Sequence, residues 1–542
     1  MTDWIGRAWR RIERFEEGPW AAVGLFGFAL AAYALVSIAF PLAAGRDLGT
    51  YLRAGFELRS SEIVLPQALL GRAPVTGIVA EAVLSAGSDV AEAAMALLYA
   101  LSILCWWRVA RRFGSAVGTV VPLLLLVFPG YLLLFHQLGS DALFAAAFAL
   151  VALLLTRFVE HPTYGRSAAL GVAVALLVLV RPIGQVLVLL LPTVLLLSGA
   201  WRLRIGRLAI LGAALVLPLL GWAAHNAMRA DDFTVVRGGG QAVPLFRAFV
   251  IHAIVHPDNG EASHELALVV ARDLLPREPY RSYGIDVDEF FASRSARMHE
   301  DLSGLADRTW GWDDDYAHLA RVGREAVLAR PGTYVRGVGR DTWRLLWWPL
   351  FLPIGGDTPT SSGTAAVGSD DVPPGLPVPS EGQPIPSASV SGFISTPDGR
   401  FREVWTSPTN HEIYAENPDD AAHLDRMNRR VDKLYGHFSD RAVHAELASW
   451  LNRASRWFPR PAVWLLAGLL AFCIRRPPGM ATPLVLAAAG LLVIVGTSLA
   501  VPAAAEYSAP VVPAFILLAV SCLGISRGSS RKTGQERAAA GA

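Results

Sequence analysis

Long apolar runs, set apart by short basic or turn-forming segments, dominate the pattern of this 542-residue chain. Ten of them predict helices of membrane-crossing character, at about 20–42, 90–108, 115–136, 141–157, 166–181, 183–200, 207–226, 461–474, 481–501 and 508–525. Between the first two runs, 45–89 is only moderately apolar, and Ile63–Ala86 is broken by Pro66, Arg72, Pro74 and Glu81. That pattern predicts helices lying along the membrane surface. Residues 227–460 are a second long interruption. Within them 262–330 carries a helical period and Tyr334–Leu352 is aromatic and basic, with Arg336, Arg340, Trp343, Trp347 and Trp348, which predicts a segment at the membrane surface. The stretch 355–400, rich in Gly, Pro, Ser and Thr, predicts a flexible loop, and 411–457 predicts a return to helix. No internal repeat stands out.

Composition sharpens this picture. Hydrophobic residues make up 53% and charged residues only 17%, against about a quarter charged in ordinary soluble domains. A soluble enzyme, a disordered chain and a disulfide scaffold are excluded, and an all-α polytopic membrane protein of about ten spans is expected. Lysine occurs only at Lys433 and Lys532, so arginine carries the positive charge. One set of short loops holds Arg7, Arg10, Arg11, Arg14, Arg108, Arg111, Arg112, Arg157, Arg166, Arg202, Arg204, Arg207, Arg475, Arg476, Arg527, Arg531, Lys532 and Arg537. The alternate set holds only Arg46, Arg53, Arg59, Arg72 and Arg181. Basic residues stay on the cytoplasmic side, so both termini are expected there, in a plasma (inner) membrane. The arginine and alanine bias reads as bacterial. Cys105, Cys473 and Cys522 all fall in apolar runs, which reads as burial rather than disulfide or metal chemistry. The polar, arginine-bearing N-terminus does not read as a cleavable signal.

The resulting organisation is a cytoplasmic 1–19, a core of seven spans over 20–226 with a first outer loop 45–89, and an outer region 227–460. Spans 461–525 and a basic cytoplasmic tail 526–542 complete it. Candidate chemistry gathers on the outer side. Gly45-Arg46-Asp47-Leu48-Gly49-Thr50-Tyr51 places a carboxylate beside an arginine at the membrane edge, a costly arrangement that suits a general base but also an interfacial salt bridge or a helix cap ending the first span. His136-Gln137-Leu138-Gly139-Ser140-Asp141 forms a tight outer turn. Asp141 there suits either an acid or a first-turn complement to the helix dipole, and His136 either a base or a half-buried aromatic. Arg181-Pro182 places an arginine against the sidedness rule, so something negative should face it, a lipid phosphate or one of those carboxylates. His225–Gly240, with Arg229, Arg237 and three consecutive glycines, frees backbone to approach a ligand but lacks a P-loop ending. Glu506-Tyr507 sets an acid and an aromatic at the outer end of the last span. His252, His256 and Asp258 have a spacing a metal could use, more often an ordinary one. Trp310, Trp312 and Asp313–Asp315 suit a sugar surface or a solvated acidic turn. No basic groove for nucleic acid is present.

In this order the acidic first outer loop, the Ser140-Asp141-Ala142-Leu143-Phe144 helix start, Arg181-Pro182, the His225–Gly240 exit and Glu506-Tyr507-Ser508-Ala509-Pro510 resemble the GT-C glycosyltransferases. Dolichyl-phosphate-mannose protein mannosyltransferases and bacterial aminoarabinose transferases are the nearest group, and the resemblance covers about 20–240 and 460–525. It implies a sugar donor linked to polyprenyl phosphate and an extracytoplasmic acceptor, a cell-wall glycan, a lipid or a protein. It implies inverting transfer with Asp47 as base, Asp141 as a second catalytic acid, Arg181 with Arg46, Arg229 and Arg237 on the donor phosphate, and Tyr51, His136, Glu506 and Tyr507 near sugar or acceptor. No cofactor is required, and a divalent metal stays open. Three departures mark the chain. Leu48 follows Asp47 where many relatives have a second acid, Glu506 replaces a basic residue before the tyrosine, and the large external part lies between spans seven and eight rather than at the C-terminus. A lipid-linked glycan ligase or polymerase, which would not need Asp47, and a transporter are the other classes. Spans nearly free of charge at their centres disfavour transport.

Overall fold

The computed structural model describes residues 18, 20–197, 200–237, 243–277, 280–311, 314–347, 401–407, 410–415, 417–438, 444–500 and 507–524. It is a helical molecule whose bundle helices pack on one another yet leave apolar side chains such as Val23, Phe28, Leu35 and Leu217 exposed. The first is α1 (Ala21–Ser37), which ends at a two-residue strand, β1 (Ala43–Ala44). Residues 45–89 fold as α2 (Leu48–Arg59), α3 (Pro66–Leu70) and α4 (Pro74–Ser85), the last two opened by prolines that lose no hydrogen bond at a first turn. These helices pack on the bundle: Thr76 of α4 donates to the Val180 carbonyl at 3.1 Å, and Ala80 and Leu84 are buried.

The bundle continues through α5 (Ser88–Ala110), α6 (Ser115–Val127), α7 (Pro129–Leu134), β2 (Gln137–Leu138), α8 (Ser140–Glu160) and α9 (Tyr164–Val180). The run expected as one helix over 115–136 is therefore two. Pro129 forces Phe128 out of helical geometry, to ψ 100°, and the chain restarts. Pro182–Leu196, expected as an ordinary helix, is wound as a 3₁₀ helix. At ~2.0 Å rise per residue its 15 residues cover about 30 Å, the reach of a much longer α-helix. Next comes α10 (Trp201–Ala230).

Residues 243–347 contribute α11 (Val243–Phe246), α12 (Glu261–Val269), α13 (Tyr280–Tyr283), α14 (Val287–Ala292), α15 (Ala296–Trp310), α16 (Asp315–Ala329) and α17 (Pro331–Trp347). They enclose their own core around Leu245, Phe249, Leu266, Phe290, Leu302 and Val322. The expected loop 355–400 lies outside the described residues. The expected return to helix at 411 is corrected: β3 (Phe401–Ser407) and β4 (Asn410–Ala415) form an antiparallel hairpin, with Glu403 opposite Ile413. Val404, Trp405, Thr406, Ile413 and Tyr414 favour that state. Helix resumes as α18 (Pro418–Tyr435), capped by the Asn417 side chain on the Asp419 amide at 3.0 Å, then α19 (Ala445–Ser455). The chain ends in α20 (Pro461–Arg475), α21 (Ala481–Ala500) and α22 (Val512–Gly524).

All ten apolar runs are thus mainly helical among the described residues. Four helices are long and apolar enough to cross a membrane by length and composition: Ser88–Phe113, Ser140–Glu160, Trp201–Ala230 and Ala481–Ala500. The others are shorter, so the count of ten spans remains a sequence expectation. The three cysteines are free.

Candidate functional site

The site is built at the ends of four separate chain segments. Its frame is the parallel pairing of β1 with β2, in which the Ala43 amide donates to the His136 carbonyl and the Gly45 amide to the Leu138 carbonyl, each at 2.9 Å. Two glycines make this approach possible. A Cβ on Gly45 would stand 2.8 Å from the Leu138 oxygen, and one on Gly139 would stand 3.3 Å from the Gly45 Cα. The pairing holds the Arg46–Asp47 dipeptide beside the start of α8.

Tyr507 stands at the centre of the charged cluster. Arg46 donates to its hydroxyl, and the Arg46 guanidinium lies 4.9 Å from the ring centroid. The Arg181 guanidinium lies 4.6 Å from the same centroid and is ion-paired with Asp141. Arg181 reaches this place because it sits in extended backbone between α9 and the 3₁₀ helix opened by Pro182. Asp47 occupies the N-cap position of α2, but its side chain makes no cap hydrogen bond. Its carboxylate is 39% exposed and lies 3.8 Å from Arg46 Nε. The helix-cap hydrogen bond is thus not made, whereas the salt bridge to Arg46 is. Asp141 is engaged by Arg181 and is less exposed, at 23%. Two forked cations therefore share one aromatic ring, each with a carboxylate beside it, an arrangement suited to an anionic group with a proton acceptor at its edge.

Other expected residues are placed elsewhere. Tyr51, one turn into α2, is buried, and the Arg72 guanidinium lies 5.7 Å from its ring. His136 is 2% exposed and stacked on Tyr33 at 4.0 Å, inside the bundle rather than on the site surface. Arg229 donates to the Ser60 carbonyl beyond the far end of α2, ~18 Å of helix from Asp47. Arg237 pairs with Asp232 at 2.6 Å and lies over the Tyr316 ring at 4.7 Å. The structure does not bring these two arginines to the Arg46–Arg181 pair. Their local contacts consume them. Glu506, Gly238–Gly240, Trp312 and Asp313 lie outside the described residues. His252 packs against Gly337 and Tyr334, while His256 faces Asp258 at 3.5 Å, and the three do not converge on one point.

Several side chains that sequence reasoning missed surround Asp47. Arg72 Nε donates to Thr50 Oγ1 at 2.9 Å in the turn that Asp47 begins. Helix α18 lies antiparallel along α2: His423 Nε2 meets Glu57 Oε1 at 2.7 Å near one end, and Tyr435 reaches Gly49 at the other. A Cβ on Gly49 would stand 3.1 Å from the Tyr435 hydroxyl. Burial pushes the Tyr435 phenol up, opposed by the Gly49 amide and Arg53 and assisted by the nearby Asp47 charge. Burial likewise pushes Glu57 up, with His423 opposing. The sequence signal for this packing is the period of His423, Met427, Val431 and Leu434, all buried.

Residues 75–222 match the family model described as dolichyl-phosphate-mannose-protein mannosyltransferase. That segment runs from α4 nearly to the end of α10 and includes His136, Asp141 and Arg181. Among solved structures, ArnT from Cupriavidus metallidurans bound to undecaprenyl phosphate is similar at 14% identity and a TM-score of 0.33, covering 94% of this chain and 78% of that one. The same protein in the apo state gives 15% and 0.32, covering 93% and 77%. No curated protein matches. The family match thus covers residues 75–222, and that segment is similar to the membrane glycosyltransferases the family describes.

Proposed function

We propose that the enzyme moves a sugar from a polyprenyl-phosphate-linked donor to an acceptor on the outer face of a plasma (inner) membrane, with both termini cytoplasmic and 227–460 outside. The observation that carries this reading is the convergence of Arg46 and Arg181 on the Tyr507 ring beside Asp47. The description of the matched family also names a dolichyl-phosphate-linked sugar, a donor of that class. Arg46 and Arg181 hold the donor phosphate, which arginine does well because its planar fork meets two phosphate oxygens at once. Asp47 takes the proton of the acceptor hydroxyl as that oxygen attacks the anomeric carbon. The bond from that carbon to the phosphate oxygen breaks on the opposite face, polyprenyl phosphate leaves, and the anomeric configuration inverts. Asp141 keeps Arg181 in register through their ion pair.

The test uses the full chain in nanodiscs with a panel of radiolabelled polyprenyl-phosphate sugars, following release of polyprenyl phosphate. One donor should turn over in the wild type, and Asp47→Asn should lower the rate by about 10²–10⁴, the usual worth of a general base. Undiminished turnover in a folded Asp47→Asn protein removes Asp47 from the reaction. Failure of every monosaccharide donor removes the donor class and turns attention to diphosphate-linked glycans.

A further inference from the structure

Helix α17 seats the outer region where two helices of the bundle emerge. Near its middle Asp341 is 3% exposed and ion-paired with Arg247 at 2.5 Å, and Arg247 also donates to the Ser498 carbonyl, two residues before the end of α21. At its C-terminal end the Trp347 carbonyl accepts from Arg460 at 2.5 Å, immediately before α20 begins at Pro461. The helix is thus held level with the outer ends of α20 and α21. Trp457, at the same level on the approach to α20, is 90% exposed.

Its outward arc is divided lengthwise. At 100° per residue, Val335, Gly339 and Trp343 fall on one edge and Arg336, Arg340 and Arg344 on the other. Val335 is 67% and Trp343 57% exposed. The three arginines are exposed and recur every fourth residue, a basic row of ~12 Å. The helix contains one acid, Asp341, which faces inward to Arg247. Arg340 and Arg344 are ion-paired with its other oxygen at 4.0 and 3.8 Å. One carboxylate is thus shared by Arg247 and two of the row's arginines, and the row keeps a net positive charge.

We propose that this face of α17 is a binding site for anionic phospholipid of the outer leaflet. The arginines take the phosphates and Val335 and Trp343 enter the boundary below them, where tryptophan and arginine are suited to lie. A basic row on this helix face, beside apolar side chains that water does not favour, suits a partner that is both anionic and apolar. A phospholipid is both. These arginines are different residues from those around Tyr507, and the site does not depend on which sugar is transferred.

The experiment purifies the full chain from mixed phosphatidylcholine and phosphatidylglycerol bilayers and counts retained lipids by native mass spectrometry. Phosphatidylglycerol should be enriched over phosphatidylcholine on the wild type. The triple substitution Arg336→Gln, Arg340→Gln and Arg344→Gln should cut that enrichment about tenfold, and the corresponding lysine triple should keep most of it. Single glutamine variants, each expected to lose about twofold, serve if the triple does not fold. Equal enrichment in wild type and glutamine variants overturns the site. So does competition by soluble glycerol phosphate as effective as by lipid, which would make it a free-phosphate site.

Discussion

Tyr507 offers both a ring and a hydroxyl to the two arginines beside it, and the two contributions separate by substitution. Tyr507→Phe keeps the ring beneath Arg46 and Arg181 and removes the oxygen on which Arg46 donates. Tyr507→Ala removes both, and each lost cation–π contact is worth about 0.5–2 kcal/mol. Donor KM should rise a few-fold in the first variant and ~10-fold or more in the second. Equal effects would mean the ring is passive. In the outer region His299 lies against Phe246, with ring centroids 5.0 Å apart, and burial pulls its pKa down to about 4. The folded protein then binds this proton less readily than the unfolded chain, in which histidine titrates near pH 6.5. The stabilising contribution is intact above that pH and is lost as pH falls towards 4, by at most about 3 kcal/mol. The thermal midpoint should drop over that window, and His299→Phe should flatten the drop.

Among the elements, the contact of α18 with α2 has the clearest energetic signature. Glu57 is fully buried with His423 as its partner and the Val64 amide at 3.3 Å. Removing one member of a buried pair leaves the other without compensation, which costs about 3–5 kcal/mol, whereas replacing both costs much less. His423→Ala should therefore lower the thermal midpoint more than the double variant Glu57→Gln with His423→Leu. The opposite ranking would show that His423 contributes through packing, for example on Phe56 at 5.3 Å, rather than through the carboxylate. The same docking carries Tyr435 to Gly49, so disorder in α18 would reach the turn that holds Asp47.

At the level of the molecule, one of the ties between residues 243–347 and the bundle is a buried cation. Arg247 is 0% exposed and is held by Asp341 from α17 and the Ser498 carbonyl from α21. Asp341→Ala leaves that guanidinium buried and unopposed by its carboxylate, again a loss of about 3–5 kcal/mol. Amide exchange over 243–347 should then accelerate while α5 and α8, whose sequences carry their own apolar core, keep their protection. Uniform acceleration across both regions would show that the two do not open separately.

The sequence alone determined the helical class, the positions of the apolar runs, the sidedness expected from their arginines and the family resemblance over the matched segment. Each is written in local signals: run length, charge between runs, and short motifs such as Ser140-Asp141 or Arg181-Pro182. Even local signals can be outweighed: run length hides the break at Pro129, and the alternation of the hairpin at 401–415 is too short to stand out. Only the tertiary structure decided which outer arginines meet. Arg46 and Tyr507 are 461 positions apart, and Glu57 and His423 are 366 apart. Arg229 and Arg237 look equivalent to Arg181 by charge and neighbourhood, but the Ser60 carbonyl, 169 positions away, takes up Arg229, and the nearby Asp232 takes up Arg237. A helix fixes the direction of its side chains within a few turns and says nothing of its neighbour. That choice falls to close approaches such as Gly45 on Leu138, and to the burial of charge, which forces every enclosed ion to find a partner wherever in the chain it lies.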